Sequence, residues 1–256
     1  MTSVDLNCDI GESFGAWTLG ADDDVLAQVS SANIACGFHA GDPATMRRTV
    51  GLALARGVAL GAHPGLPDLV GFGRRTMDVS PDEAYEMVVY QVGALSAFAR
   101  AHGARLAHVK PHGALYNMAA ARPALADAIA RAARDVDPTL MLFALAGSAL
   151  VAAARAVGIT AVEEVFADRR YAADGTLVPR SQAGAVITDA AACVTQAVRM
   201  VREGRVTTSD GSDVRVHADT ICIHGDTPGA AEHARALRAA LDAAGIKIAA
   251  PTGVRA

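Results

Sequence analysis

The sequence has little lysine, few aromatic residues and no long apolar run. Two of its 23 basic residues are lysines, Lys110 and Lys247, and aromatic residues make up 4% of the chain. Hydrophobic residues nevertheless make up 52%, so a large core must be packed mainly with Ala, Val, Leu and Ile. No run reaches the roughly 18 apolar residues that a membrane-spanning helix needs. With a net charge of −4 and no cluster of basic residues, we expect no membrane and no nucleic acid as partners.

Three further signals are missing. The four cysteines have no C-x-x-C spacing, and the first residues lack the basic stretch and apolar region of a secretory signal. Both absences indicate a cytoplasmic protein with reduced thiols. No Gly-x4-Gly-Lys-Ser/Thr motif occurs, so the sequence gives no P-loop evidence for nucleotide binding.

Strand and helix patterns alternate along the whole chain, which predicts an α/β fold with a parallel sheet. The 256 residues are the usual length of one (β/α) barrel and no change of composition marks a linker, so residues 1–256 are expected to form one barrel domain. Two interruptions, Arg169–Ala185 and Val206–Ala218, are expected to be loops or small hairpins. The predicted strands are Val4–Cys8, Asn33–Cys36, Val58–Ala62, Arg105–Val109, Thr139–Leu145, Ile159–Phe166, Thr220–Ile223 and Ile246–Ala249. The predicted helices are Asp22–Val29, Pro43–Arg56, Pro81–His102, Pro123–Val136, Ala149–Ala156, Asp189–Glu203 and Pro228–Ala244.

Six polar clusters lie at the ends of short apolar runs. In a (β/α) barrel the C-terminal ends of the strands carry the active site, so this arrangement indicates an enzyme. The clusters are Asn7–Glu12, Cys36–Asp42, Gly61–Gly65, His108–Gly113, Glu164–Asp168 and Cys222–Asp226.

The alternation of side chains along each strand predicts which of them face the barrel axis. In the first strand the polar side chains of Asp5, Asn7 and Asp9 share the inward face, whereas Cys8 shares the outward face, as Cys36 does in the second strand. The thiols are expected to be packed groups rather than nucleophiles. The other side chains expected to point inward are Asn33, His39, His63, His108, Lys110, His112, Cys222, His224 and Asp226.

Seven longer motifs follow one another in the sequence. They are Asp5–Gly15, Ala32–Pro43, Gly61–Asp68, Gly71–Arg75, Val109–Asn117, Glu164–Arg169 and Ile223–Asp226. Together they resemble the LamB/YcsF family. The resemblance implies an irregular TIM-like (β/α)7–8 barrel of the glycoside hydrolase/deacetylase kind. It also implies ATP-dependent opening of the lactam of 5-oxo-L-proline to L-glutamate, by a 5-oxoprolinase in which this chain works with subunits B and C.

The implied reaction suggests roles for the catalytic candidates. A lactam amide is a poor electrophile, and phosphorylation of its oxygen by ATP opens it to attack by water. Asp9 or Glu12 is predicted to be the base for this water, with His63 and His112 as proton shuttles. Lys110 is predicted to supply positive charge at the phosphoryl group or the oxyanion.

Substrate binding is expected from a second set of residues. Arg74 or Arg75 is predicted to clamp a carboxylate or phosphate, because a guanidinium binds these groups bidentately. Asp226 is expected to orient His224 or to hold Mg²⁺. The remaining substrate-binding candidates are Asn7, Asn33 and His39.

Two other interpretations stay open. The first is a metal-dependent deacetylase-like hydrolase of a carbohydrate or other amide, with Asp9, His63 and His112 as candidate ligands of a divalent metal. Asn7-Cys8-Asp9 resembles the first motif of the deacetylases, but Ile10 stands where their second aspartate is found. The second is a substrate-binding subunit without chemistry of its own. The site of ATP binding is left open: it could be this chain, a partner, or the interface between the two.

Overall fold

Parallel strands form a closed barrel in the computed structural model, which describes residues 2–20, 22–224 and 229–252, without the side chains of His224 and Ala230. Seven strands close on themselves in the order β1, β2, β3, β4, β5, β6, β9, because β9 pairs with both β6 and β1. This confirms the predicted α/β, TIM-like barrel. The strands are β1 (Ser3–Ile10), β2 (Ser31–Ala35), β3 (Ala59–His63), β4 (His108–Val109), β5 (Met141–Leu145), β6 (Ala161–Phe166), β7 (Arg205–Thr207), β8 (Asp213–Arg215), β9 (Thr220–His224) and β10 (Lys247–Ile248).

The last predicted strand forms but lies outside the barrel. β10 pairs in parallel with the first residues of β1, with Ser3 opposite Lys247. Further along β1, Asp9 is opposite Asn33 on one side and His224 on the other. The register therefore places the polar residues of neighbouring strands at the same level inside the barrel.

Helices surround the barrel, and their starts follow the sequence signals. Asp42 accepts hydrogen bonds from the backbone N–H groups of Ala44 and Thr45, and Ser80 forms a capping box with Glu83. One helix, α4, was not predicted. The helices are α1 (Asp22–Leu26), α2 (Pro43–Ala55), α3 (Pro81–Ala101), α4 (Gly113–Ala121), α5 (Pro123–Val136), α6 (Ala149–Val157), α7 (Ala190–Glu203) and α8 (Ala230–Ala243).

The second interruption is a small hairpin, as expected. β7 and β8 pair antiparallel, with Thr207 opposite Asp213. Gly211 in the connecting turn has a φ of 86°, a conformation that favours glycine. The first interruption, between β6 and α7, forms turns and isolated bridges, one of which joins Arg169 to Val186.

The main core lies between the barrel and the helices. The buried Cys8 and Cys36 belong to it, as the strand alternation predicted. A small separate cluster of Met141, Phe143 and Val162 is also buried. No helix among the described residues has the length and apolar character needed to cross a membrane.

Candidate active site

A chain of hydrogen bonds crosses the barrel interior. The Asn33 amide donates to Asn7 Oδ1 at 2.7 Å and to Asp9 Oδ1 at 2.8 Å, and the Asn7 amide donates to Glu164 Oε1 at 2.9 Å. His108 Nε2 lies 2.7 Å from Asn33 Oδ1, which can only accept, so this nitrogen carries the proton. Since every member is buried, these bonds form in a low dielectric and fix one another's positions.

The ammonium group of Lys110 lies within this network. It is 2.9 Å from Asp9 Oδ1, 2.8 Å from Glu164 Oε1 and 3.0 Å from Cys222 Sγ. Burial alone would lower the pKa of Lys110, but the carboxylates of Asp9 and Glu164 raise it well above its ordinary value. Lys110 is therefore a charged group that holds two buried carboxylates in place.

Cys222 beside this ammonium remains a thiol. Burial raises its pKa well above the ordinary value. Its inward position is the one that the strand alternation predicted, and its protonated state fits a packing role.

Glycine at position 61 makes room for His108. A Cβ atom at Gly61 would overlap the imidazole ring at His108 Nε2. The ring of His108 stacks on Phe143 with 3.9 Å between centroids. Burial and the charge of Lys110 lower the pKa of His108 to about 3, so the ring is neutral. It thus supports the Asn33 amide and takes no charge at neutral pH.

Asp5 lies in a separate group of hydroxyl donors. Its Oδ1 accepts from Ser30 and Ser31, at 2.6 and 2.8 Å, and its Oδ2 accepts from Thr220 at 2.6 Å. Burial nevertheless raises the pKa of Asp5 to about 6. Its role is structural, since it joins β1 to β2 and β9.

His63 and His112 face each other through the ring nitrogens that carry no proton when the imidazoles are neutral. His63 Nδ1 lies 2.7 Å from the Lys110 carbonyl oxygen, and His112 Nε2 lies 2.7 Å from that of Phe72. Carbonyl oxygens only accept, so these two nitrogens carry the ring protons. The opposite nitrogens, His63 Nε2 and His112 Nδ1, are 3.0 Å apart and both present lone pairs when the rings are neutral. This pair requires a shared proton or a bound cation between its nitrogens.

A third histidine and two carboxylates complete a set of converging donors. Glu12 Oε1 lies 3.4 Å from His39 Nε2 and 3.6 Å from His112 Nδ1, and Asp9 Oδ2 lies 3.3 Å from His63 Nε2. Ligands about 2.0–2.1 Å from a tetrahedral metal lie roughly 3.3 Å from one another. The ligand atoms of Glu12, His39, His63 and His112 all lie within 4.8 Å of one another, so these four residues could hold a metal ion.

Burial keeps the rings of His39 and His112 in the form that binds metals. The His39 ring is fully buried, stacks on His112 at 3.7 Å and has no hydrogen-bond partner for either nitrogen among the described residues. Burial and the neighbouring His63 lower the pKa of His39 well below its ordinary value. Burial, His39 and His63 do the same for the pKa of His112. Neutral imidazoles are the metal-binding form.

The glycine-rich loop Gly71–Arg75 packs directly on His39 and His112. Phe72, whose carbonyl accepts from His112, has a positive φ of 55°, which is rare for a residue with a side chain. A Cβ atom at Gly73 would lie 2.8 Å from the side chains of both His112 and His39. Arg75 bonds the Asp68 carboxylate and so closes the loop. The loop therefore fixes the position of His112.

A cavity of about 740 Å³ opens at this end of the barrel. Asp9, His63, Lys110 and His112 line it together, whereas Glu12 is 7% exposed and lies behind, beside His39 and His112. Four of the five catalytic candidates thus reach one cavity, which is large enough for a ligand of drug size.

The substrate-binding candidates are distributed differently. Arg74 lines the cavity, but Arg75 does not and is paired with Asp68. Asn7 and Asn33 are fully buried beneath the cavity, where their amides bond side chains of the network. The buried His39 likewise does not line the cavity. The side chain of His224 and the whole of Asp226 lie outside the described residues.

Several residues of this site were not predicted from the sequence. Glu164 had no predicted role, although two adjacent acidic residues, Glu163 and Glu164, in a mainly apolar strand were a usable signal. Tyr116, whose hydroxyl donates to Glu164 Oε2 at 2.7 Å, lies on the unpredicted helix α4. Arg169 and Arg180 line the cavity from the first interruption, where no periodic pattern indicates which side chains turn inward.

Comparison with known proteins adds a consistent set of relatives. The model of the LamB/YcsF family matches residues 4–256. The A subunit of 5-oxoprolinase from Bordetella pertussis is 63% identical over 246 residues, covering 96% of this chain and 98% of the relative. Its counterpart from Bacillus subtilis is 59% identical over 250 residues, covering 98% of this chain and 97% of the relative. The crystal structure of a lactam utilization protein from Thermus thermophilus is similar with a TM-score of 0.92 and 52% identity, covering 98% of this chain and 100% of that one.

Proposed function

The chain belongs to the LamB/YcsF family, and on that premise we propose that it is the A subunit of an ATP-dependent 5-oxoprolinase, which opens 5-oxo-L-proline to L-glutamate. The observation that carries the proposal is the convergence of Asp9, His63, Lys110 and His112 on one cavity. The chain is proposed to act with subunits B and C.

The proposed chemistry begins at the lactam oxygen. This oxygen attacks the γ-phosphorus of ATP, and ADP leaves with the electron pair of the broken bond. Water then adds to the activated ring carbon, and the ring C–N bond breaks as the nitrogen takes up a proton. A second water releases phosphate, so that one lactam, one ATP and two waters give one glutamate, one ADP and one phosphate.

Asp9 is the proposed base for the attacking water. Its Oδ1 is held by Lys110 and Asn33 at 2.9 and 2.8 Å, so the carboxylate has a fixed orientation and lines the cavity. A positioned carboxylate next to a histidine can accept a proton from water. Lys110 has four acceptors around three N–H donors, which makes it a positioning residue for Asp9.

A divalent metal fits the donor set next to Asp9. Glu12, His63 and His112, with His39 adjacent, would hold a cation such as Zn²⁺ between nitrogens that otherwise oppose lone pairs. When bound, such a cation supplies Lewis-acid stabilisation of negative charge on a reacting oxygen. We expect metal analysis of the purified chain to find close to one divalent ion per chain. His112→Ala should lose the ion, whereas His102→Ala, at the exposed end of α3, should retain it.

The same donor set favours a second candidate function, a metal-dependent amide hydrolase that needs no ATP. That enzyme would hydrolyse an N-acetyl substrate alone and would stop when a chelator removes the metal. Retained metal with no turnover of N-acetyl substrates would count against this candidate.

The decisive experiment measures glutamate release from 5-oxo-L-proline and ATP by the complex of this chain with subunits B and C. We expect turnover in the mixture that falls by at least about 100-fold with Asp9→Asn and stays unchanged with Asp127→Asn, an exposed aspartate on α5. Full turnover with Asp9→Asn would remove Asp9 from the mechanism. No turnover with the unaltered chain in any mixture would refute the proposed function.

A further inference from the structure

Arginines dominate one part of the cavity wall. The lining includes Arg74, Arg122, Arg169 and Arg180. Its acidic members are Asp9, which is paired with Lys110, and Asp174, whose carboxylate bonds Thr176 within an exposed turn. When the paired Lys110 and Asp9 are left aside, the lining of the cavity carries an excess of positive charge.

Two of these guanidinium groups have N–H donors that bond to no acceptor in the described part of the chain. Arg169 is 4% exposed and donates to the Val178 carbonyl at 2.6 Å, but its Nε has no hydrogen-bond partner among the described residues. The same holds for the buried Nη2 of Arg180. A buried N–H of a charged group without an acceptor is costly, so these donors favour an anionic ligand.

The charges also act on one another. Burial and the charge of Arg180 lower the pKa of Arg169 to about 10, with Arg74 contributing in the same direction and Asp168 opposing. Like charges held close together repel, and Asp168 offsets only part of this. An anion with more than one negative charge would relieve the repulsion between the three arginines.

The size and position of the wall favour phosphate over carboxylate. The cavity of about 740 Å³ far exceeds what a five-membered lactam with one carboxylate fills. Gly113 and Ala114, the first residues of α4, also line it. The Ala114 N–H already donates to the Gly73 carbonyl, so the helix contributes the positive end of its dipole, which favours phosphate, rather than that N–H. No P-loop is available in the sequence, so phosphate recognition here would depend on side chains.

We propose that Arg169 and Arg180, with Arg74, form a subsite for the phosphate groups of ATP, next to the Asp9 and histidine end of the cavity where the lactam reacts. The subsite rests on the proposed function and deepens it. It places the nucleotide, at least through its phosphates, on this chain. The γ-phosphorus would then lie between the arginines and the lactam oxygen that attacks it.

The test is calorimetric titration of the full chain with ATP, inorganic phosphate, 5-oxo-L-proline and glutamate, each separately. Arg180→Gln should weaken ATP binding by about 10- to 100-fold, the range expected for losing a charge-assisted hydrogen bond. Arg170→Gln, an exposed neighbour that does not line the cavity, should leave it unchanged. Arg180 is half-buried, so its substitution is less disruptive to folding than that of Arg169.

The same variants are then assayed in the complex with subunits B and C. Arg180→Gln should raise the KM for ATP and leave the KM for 5-oxo-L-proline within about 2-fold. A loss of lactam or glutamate affinity instead of ATP affinity would assign the arginines to the substrate carboxylate and overturn the subsite. Glutamate release by the unaltered complex with no effect of Arg180→Gln on ATP would overturn the subsite and leave the proposed function standing.

Discussion

Replacing Lys110 by methionine tests the buried charge network most directly. Methionine keeps most of the side-chain volume but removes the cation that lies 2.9 Å from Asp9 and 2.8 Å from Glu164. Breaking a buried ion pair by removing one partner costs about 3–5 kcal/mol, because the remaining charge loses its compensation. Here two carboxylates lose the same cation, so we expect the upper part of that range. This is a large fraction of the roughly 5–15 kcal/mol that stabilises a typical protein.

The assay is denaturant unfolding at pH 7 and at about pH 4.5. A carboxylate that has lost its cation takes up a proton more readily in the folded than in the unfolded chain. The stability deficit of Lys110→Met should therefore shrink as the pH falls. Lys247→Met is the matched control, because Lys247 is the other lysine of the chain and is exposed on β10; its effect should stay within about 0.5 kcal/mol.

A second substitution separates charge from packing. If the deficit is electrostatic, adding Glu164→Gln to Lys110→Met should recover part of it, since only one uncompensated carboxylate remains. A Lys110→Met chain as stable as the unaltered chain at pH 7, or a deficit that does not change with pH, would refute the reasoning.

Three further predictions follow from the barrel interior. Burial raises the pKa of Asp5 from 3.8 to about 6, so the folded chain binds this proton more tightly than the unfolded chain. The free energy of unfolding should therefore fall by about 3 kcal/mol as the pH rises from below 3.8 to above 6. Asp5→Asn should remove that loss when unfolding is measured as a function of pH. Gly61→Ala places a Cβ on the ring of His108 and should destabilise the chain by at least about 1–3 kcal/mol in thermal or denaturant unfolding, and an unchanged midpoint would contradict this. Gly93→Ala, within α3 and with no atom within 4 Å of the new Cβ, should instead stabilise it by about 0.5–1 kcal/mol in the same assay.

Much of the barrel could be predicted because two periodicities are visible in the sequence. The alternation along β1 correctly directed Asn7 and Asp9 inward and Cys8 outward, and the Pro and Ser signals located the starts of α2 and α3. The closure could not be predicted, because it depends on β9 pairing with β1, and pairing partners leave no local pattern. Hence eight strands were predicted in alternation, but β10 lies outside a barrel of seven.

The site was less predictable for a related reason. The convergence of His63, His112 and Lys110 could be predicted, because all three lie at the C-terminal ends of strands, which meet at one end of a barrel. The partner of Lys110 on β6, Glu164, is joined to it only by the fold, and α4 begins at a glycine without a side-chain cap, so no start signal marked it. Arg180 lies in a segment whose turns follow no repeat. Side chains that follow the alternation of a strand could be placed from the sequence, whereas contacts that only the fold brings together, such as Lys110 with Glu164, could not.

The hydrogen-bonded interior also constrains how this protein can evolve. Asn7, Asn33 and His108 each satisfy a group on another strand, so a change at any one of them leaves a buried donor or acceptor without its partner. A neutral substitution at one of these positions requires a nearly simultaneous compensating substitution on a strand that is far away in the sequence. Residues on the outer faces of the helices face solvent, where water can replace a lost hydrogen-bond partner. Variation among descendants of this chain should therefore accumulate on the outside of the barrel, while its interior changes as one unit or not at all.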